Sequence, residues 1–206
     1  MNFIYLHTPN KHDYSILSSR DEAHQINSKG DRAITVNPFG VTKSYKQSNI
    51  DYAHLVYESD INKIKEKLAA KKIQYFLLRY PSPIEIEYYS KLANLDKKLF
   101  DENKVATADY YQAFQMRLYY YNGSENPKAK ALDFAQLIYN SPLQNPIDGG
   151  REKLFSVYKL FRFVKGAIIK GKTDGPKEKV TLRVHLEDHM GKKHLYTNTS
   201  QSDENN

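Results

Sequence analysis

A chain of 206 residues that is 40% hydrophobic and 27% charged has apolar side chains enough for one core, and too many for a disordered segment. It contains no cysteine, which excludes disulfides, thiolate nucleophiles and Cys-ligated zinc. The net charge of +7 is unevenly placed: residues 1–150 carry +2, residues 151–197 carry +7 and residues 198–206 carry −2.

In chain order, residues 3–7 and 14–17 read as strands. Ser19 followed by Glu22 forms a capping box for a short helix that Gly30 can end. Residues 33–36 are strand-like and stop at the turn cluster Asn37-Pro38-Phe39-Gly40. Residues 52–57 read as a strand, Ser59 as the cap of a helix with Ile61, Ile64 and Leu68 on one face, and residues 73–80 (IQYFLLRY) as a strand halted by Pro81. These three make a βαβ unit. Ser82 and Pro83 then start a helix with Tyr88, Leu92, Leu95 and Leu99 on its inner stripe. Thr107 opens a second helix that Asn122-Gly123 closes, Pro127 begins a third reaching residue 139, and Asp148 caps a fourth through Gly149-Gly150, with Leu154, Tyr158 and Phe161 inward. Residues 166–170, 180–187 and 194–197 read as a three-stranded meander, with Asp174-Gly175 and Gly191 in its turns.

The fold class predicted is therefore α+β: N-terminal mixed strands with a βαβ unit, a central layer of three to four helices and a C-terminal three-stranded meander. Residues 1–197 are expected as a single domain, and 198–206 as a disordered polar tail. The second and third helices (ADYYQAFQMRLYYYNG and KAKALDFAQLIYN) resemble one Sel1-like or tetratricopeptide-like pair. No second copy follows, and solenoids need about three repeats, so the likeness is assigned to helix-hairpin chemistry. No segment has the apolar length of a membrane span, and residues 1–8 lack the basic start of a signal peptide, so a cytoplasmic location without a membrane partner is expected.

The basic quarter carries the main functional expectation. At helical spacing, Arg151, Phe155, Lys159 and Arg162 share one side of the fourth helix. Lys170, Lys172, Lys177, Lys179 and Arg183 crowd the first hairpin, and Lys192 and Lys193 the second. Such clusters bind phosphate backbones by counterion release, and Phe155 can stack on bases, so the reading is a non-enzymatic accessory protein contacting nucleic acid or an acidic protein face. The glycine pair at the start of the fourth helix can approach an anion, although the P-loop spacing is missing. A second reading makes the helices bearing Tyr88-Tyr89, Tyr110-Tyr111 and Tyr119-Tyr120-Tyr121 an assembly surface. A metal-dependent hydrolase built on His185, Glu187, Asp188, His189 and His194 comes last. Glu85, Glu87 and Asp109 are accounted for by the dipole at helix starts. No catalytic residue, metal or cofactor is assigned, and nothing fixes an oligomeric state.

Overall fold

The computed structural model describes residues 2–10, 13–38, 43–142, 144–145 and 155–202. Strands β1 (Ser15–Leu17), β2 (Ile73–Arg79), β3 (Ala135–Asn140) and β6 (Tyr158–Phe163) form a sheet in the order β1-β2-β6-β3. β1 and β2 are parallel, and β6 is antiparallel to both β2 and β3. The chain crosses from β1 to β2 through α2 (Arg20–Gly30), α3 (Lys43–Val56) and α4 (Ile61–Ala70). β4 (Gln144–Asn145) pairs with β5 (Phe155–Ser156), and β7 (Lys179–Glu187) with β8 (Lys193–Gln201), in separate two-stranded ribbons.

β2 shows why the sheet is central. Tyr75 and Leu77 point to one side and Phe76 and Leu78 to the other, and all four are buried. A strand covered on both faces reads as an unbroken apolar run, which is what IQYFLLR is. On one side Tyr75 and Leu77 meet Ile16, Leu160, Ile26 of α2 and Ile4 of α1 (Asn2–His7). On the other, Phe76, Leu78 and Phe161 meet a larger cluster. It gathers Tyr52, Leu55 and Val56 from α3, Ile64 and Leu68 from α4, and Ile86 and Tyr89 from α5 (Pro83–Leu92). Leu99 ends α6 (Asp96–Leu99); α7 (Ala108–Gln112) follows, and α8 (Phe114–Tyr121) adds Phe114, Leu118 and Tyr119.

The α+β class stands, and the arrangement differs from the expected one. Residues 3–7 and 52–57 are helical or end a helix, and residues 33–36 contribute only the bridge Ile16↔Ile34. The strand that precedes the crossover is thus β1, three helices upstream of β2. Asp60 rather than Ser59 caps α4, its Oδ1 accepting from the N–H groups of Asn62 and Lys63 at 2.8 and 3.3 Å. The inner stripe of α5 is Ile86, Tyr89 and Ser90, while Tyr88 is exposed. The expected third helix is loop and β3, which removes the tetratricopeptide-like pair. The expected fourth gives way to β5 and β6, its start at residues 146–154 lying outside the described residues. Residues 166–170 form no strand, so the meander is a two-stranded ribbon. β8 runs on to Gln201, and residues 203–206 lie outside the described residues.

Candidate functional site

The cations expected to make one surface do not do so. Arg151 lies outside the described residues. Lys159 and Arg162 share a side only at helical spacing; three apart in β6, they project to opposite faces of the sheet. Lys159 is buried, its Nζ donating to the carbonyl of Tyr119 and to Asn122 Oδ1, both at 2.7 Å. Burial, with Lys192 adding repulsion, brings its pKa down to about 8. Arg162 lies on the opposite face and donates to Gln136 Oε1 at 2.8 Å. Lys170 and Lys172 sit in irregular chain before the ribbon, Lys177 and Lys192 in turns. Lys179, Arg183 and Lys193 do share the outer ribbon face, where Glu187 stands opposite Lys193. The polyanion groove is therefore not assembled.

The other two candidate constellations also separate. His185 and Glu187 face outward on the ribbon, and His194 takes the opposite face. Asp188 is buried in the turn, accepting from the N–H groups of Met190 and Lys192. His189 stacks on Tyr139 at 4.2 Å. Among the described residues no three metal-ligating side chains converge. The tyrosines expected at an assembly surface turn mostly inward: Tyr89 and Tyr119 are buried, and Tyr110 and Tyr120 pack against the core.

What the fold does assemble lies at the carboxyl end of the parallel pair, the usual crevice of such sheets. β1 ends at Leu17, and Ser18-Ser19 leads into α2, whose first turn carries Arg20, Asp21 and Glu22. Arg79 ends β2, Tyr158 begins β6, and Glu85 stands in the first turn of α5. Glu22 is buried: Ser19 Oγ donates to its Oε2, Tyr158 Oη reaches Oε1 at 3.5 Å and Arg79 Nη1 stands 3.7 Å from the same oxygen. The Arg20 amide donates to Tyr89 Oη, whose hydroxyl donates to the buried Asn49 at 3.5 Å. Ser18 Oγ is buried without a partner.

Burial raises the pKa of Glu22 despite Ser19 and Arg79, which pull it down. Burial, with the Glu22 carboxylate adding repulsion, pushes Glu85 up to about 8. With its pKa near 8, Glu85 is largely protonated at neutral pH, while Glu22 is engaged by Ser19, Tyr158 and Arg79. A protonated carboxyl can donate as well as accept, which suits a neutral polar group such as a hydroxyl or carboxamide. In the sequence Glu22 stands as a capping partner and Glu85 as a carboxylate suited to the helix dipole. The signal for the cluster is the polar run SSRDE directly after an apolar strand, together with Arg79 at the end of another.

No protein-family model matches the sequence, and neither does any curated protein. Solved structures do. The archaeal oligosaccharyltransferase AglB from Archaeoglobus fulgidus, in complex with an inhibitory peptide and a dolichol-phosphate, superposes with a TM-score of 0.70 at 13% identity, covering 95% of this chain and 32% of that one. An A. fulgidus oligosaccharyltransferase tethered to an acceptor peptide containing the NVT sequon gives 0.67 at 13% identity, over 94% and 32%. The C-terminal globular domain of an oligosaccharyltransferase from the same organism gives 0.57 at 14% identity, over 79% of this chain and 92% of that domain. At these identities the likeness establishes the fold, and the chain spans about a third of the full enzymes. It overturns the nucleic-acid reading, as does the dispersal of the cations. The expectation of no membrane partner finds no support either, since AglB is bound to a dolichol-phosphate. No helix among the described residues is long and apolar enough to cross a membrane.

Proposed function

We propose that the chain serves a glycosyl-transfer system as its acceptor-recognition domain, with the Glu22–Glu85 cluster receiving a hydroxyl or carboxamide of a polypeptide. The observation that carries this reading is the match to an oligosaccharyltransferase C-terminal globular domain over 92% of that domain's length. The chemistry of the cluster supports it: a protonated Glu85 and the buried Ser18 hydroxyl pair with neutral polar groups at less desolvation cost than with an ion. The NVT sequon in the tethered complex offers both groups, an asparagine carboxamide and a threonine hydroxyl. Recognition alone is assigned, since a chain a third of the enzymes' length need not carry the transfer chemistry.

Calorimetric titration of the full chain with an uncharged Asn-Val-Thr decapeptide tests the reading. Binding should weaken at least tenfold in Glu85→Lys. It should also weaken as pH rises from 7 to 9, because Glu85 loses its proton near pH 8. A peptide that does not bind, or binds wild type and Glu85→Lys equally with no pH dependence, would defeat it.

A further inference from the structure

The ribbon of β7 and β8 touches the body of the protein along the free edge of β8. The Glu125 amide donates to the Thr197 carbonyl at 2.8 Å, and the Thr197 amide donates to Ser124 Oγ at 2.9 Å. Thr197 therefore turns its peptide groups away from β7. Strand alternation puts those of Thr199 and Gln201 on the same outward edge. Ser202 confirms the phase, since its amide points inward to the Glu178 carbonyl.

Past Thr197 no backbone hydrogen bond among the described residues continues this pairing on the outward edge. A hollow of about 190 Å³ opens between Asn198 and Thr199 on one side and Glu125, Lys130, Ala131 and Asp133 on the other. It adjoins a second of about 450 Å³ that shares Ile61, Glu125 and Lys130 with it. Arg117, itself buried, donates to the carbonyls of Ser59, Lys130 and Ala131 and holds that loop in place. In the same wall Glu125 Oε2 and Asn126 Nδ2 are shielded from solvent without partners, while Asn126 Oδ1 is fixed by the Lys128 amide.

Unused edges are normally guarded by charges, prolines or bulges. β7 carries Lys179, Arg183 and Glu187, whereas β8 has Lys193 alone and ends in Thr-Asn-Thr-Ser-Gln. We infer that the β8 edge from Thr199 to Gln201 takes an extended, uncharged peptide segment as an added strand, continuing the pairing that Glu125 starts. In choosing a polypeptide as the occupant this rests on the acceptor-recognition reading. The peptide backbone meets Thr199, and the walls, which carry both signs of charge, favour neutral side chains.

Amide chemical shifts of the ¹⁵N-labelled full chain, followed during titration with the Asn-Val-Thr decapeptide flanked by Thr and Val, test it. Shifts at residues 197–201 with cross-strand contacts to the peptide are expected. Methylating alternate backbone nitrogens of the peptide should weaken these shifts at least tenfold without altering the protein. Thr199→Pro, which removes one edge donor where proline is tolerated, should do the same. A peptide that moves only residues 18–22, 79 and 85 overturns the edge site and leaves the Glu22–Glu85 reading standing. Edge shifts that survive Glu85→Lys, with none at residues 18–22, 79 and 85, overturn that reading instead. Edge shifts that grow with protein concentration alone identify a second copy as occupant and overturn the peptide. An edge indifferent to backbone methylation overturns strand addition itself.

Discussion

Arg117 sits in a buried place with no carboxylate within ion-pair distance among the described residues, and burial lowers its pKa to about 10. Its compensation is entirely from backbone carbonyls, those of Ser59, Lys130 and Ala131. Arg117→Met would remove the charge but leave these acceptors unpaired, so urea denaturation should show a loss of about 2–4 kcal/mol. Glu85 acts in the opposite sense on stability. Its pKa is higher folded than unfolded, so the folded state binds the proton more tightly. Its contribution is full below about pH 4.5 and is lost as pH rises to about 8. Glu85→Gln should flatten that decline, leaving the variant more stable than wild type by about 1–2 kcal/mol at pH 9 once solvent screening of this partly exposed group is allowed for. Thermal melts from pH 4 to 9 would show it, and a wild-type stability flat across that range would contradict the shift.

Elements with strong end signals were legible in the sequence. Ser82 and Pro83 start α5 where the pattern puts them, Ser82 Oγ accepting from the Glu85 amide at 3.2 Å. Asn122 and Gly123, both at positive φ, end α8. α4 lies where its apolar stripe puts it, with the cap one residue later. Asp60→Ala should therefore cost about 1 kcal/mol in chemical denaturation, whereas Ser59→Ala, whose side chain caps nothing, should cost much less. What failed were the elements whose pattern comes from tertiary burial. β6 has three consecutive buried residues, Lys159, Leu160 and Phe161, because it lies between β2 and β3 with cover on both faces. A central strand of this kind has no period of two, and its apolar positions pass for a helical stripe. That one misreading carried Lys159 and Arg162 onto a common surface. The Glu22–Glu85 cluster was hidden for a different reason: its parts come from four separated stretches, and each has a local explanation.

At the level of the whole molecule, the parallel pair is joined by a crossover of three helices, and the sheet closes only when β6 slots between β2 and β3. The β7–β8 ribbon stands apart from that closure, held by the Thr197 amide donating to Ser124 Oγ, the Glu125 amide donating to the Thr197 carbonyl, Tyr196 Oη on the Leu132 carbonyl and, at its turn, His189 against Asn140 and Tyr139. Amide exchange should accordingly be faster in β7 and β8 than in β2, whose residues are shielded on both sides. Equal protection in ribbon and sheet would contradict this. The late arrival of β6 also bears on synthesis. When the last residue of β2 is added, the strand that will lie along its antiparallel side begins 79 residues further on, at Tyr158 against Arg79. The seven-residue stretch IQYFLLR must wait beside β1 with one margin bare, a sticky sequence without its neighbour. A nascent chain stalled before residue 158 should aggregate or hold on to a chaperone, and release should follow once the stretch YKLFRF has emerged.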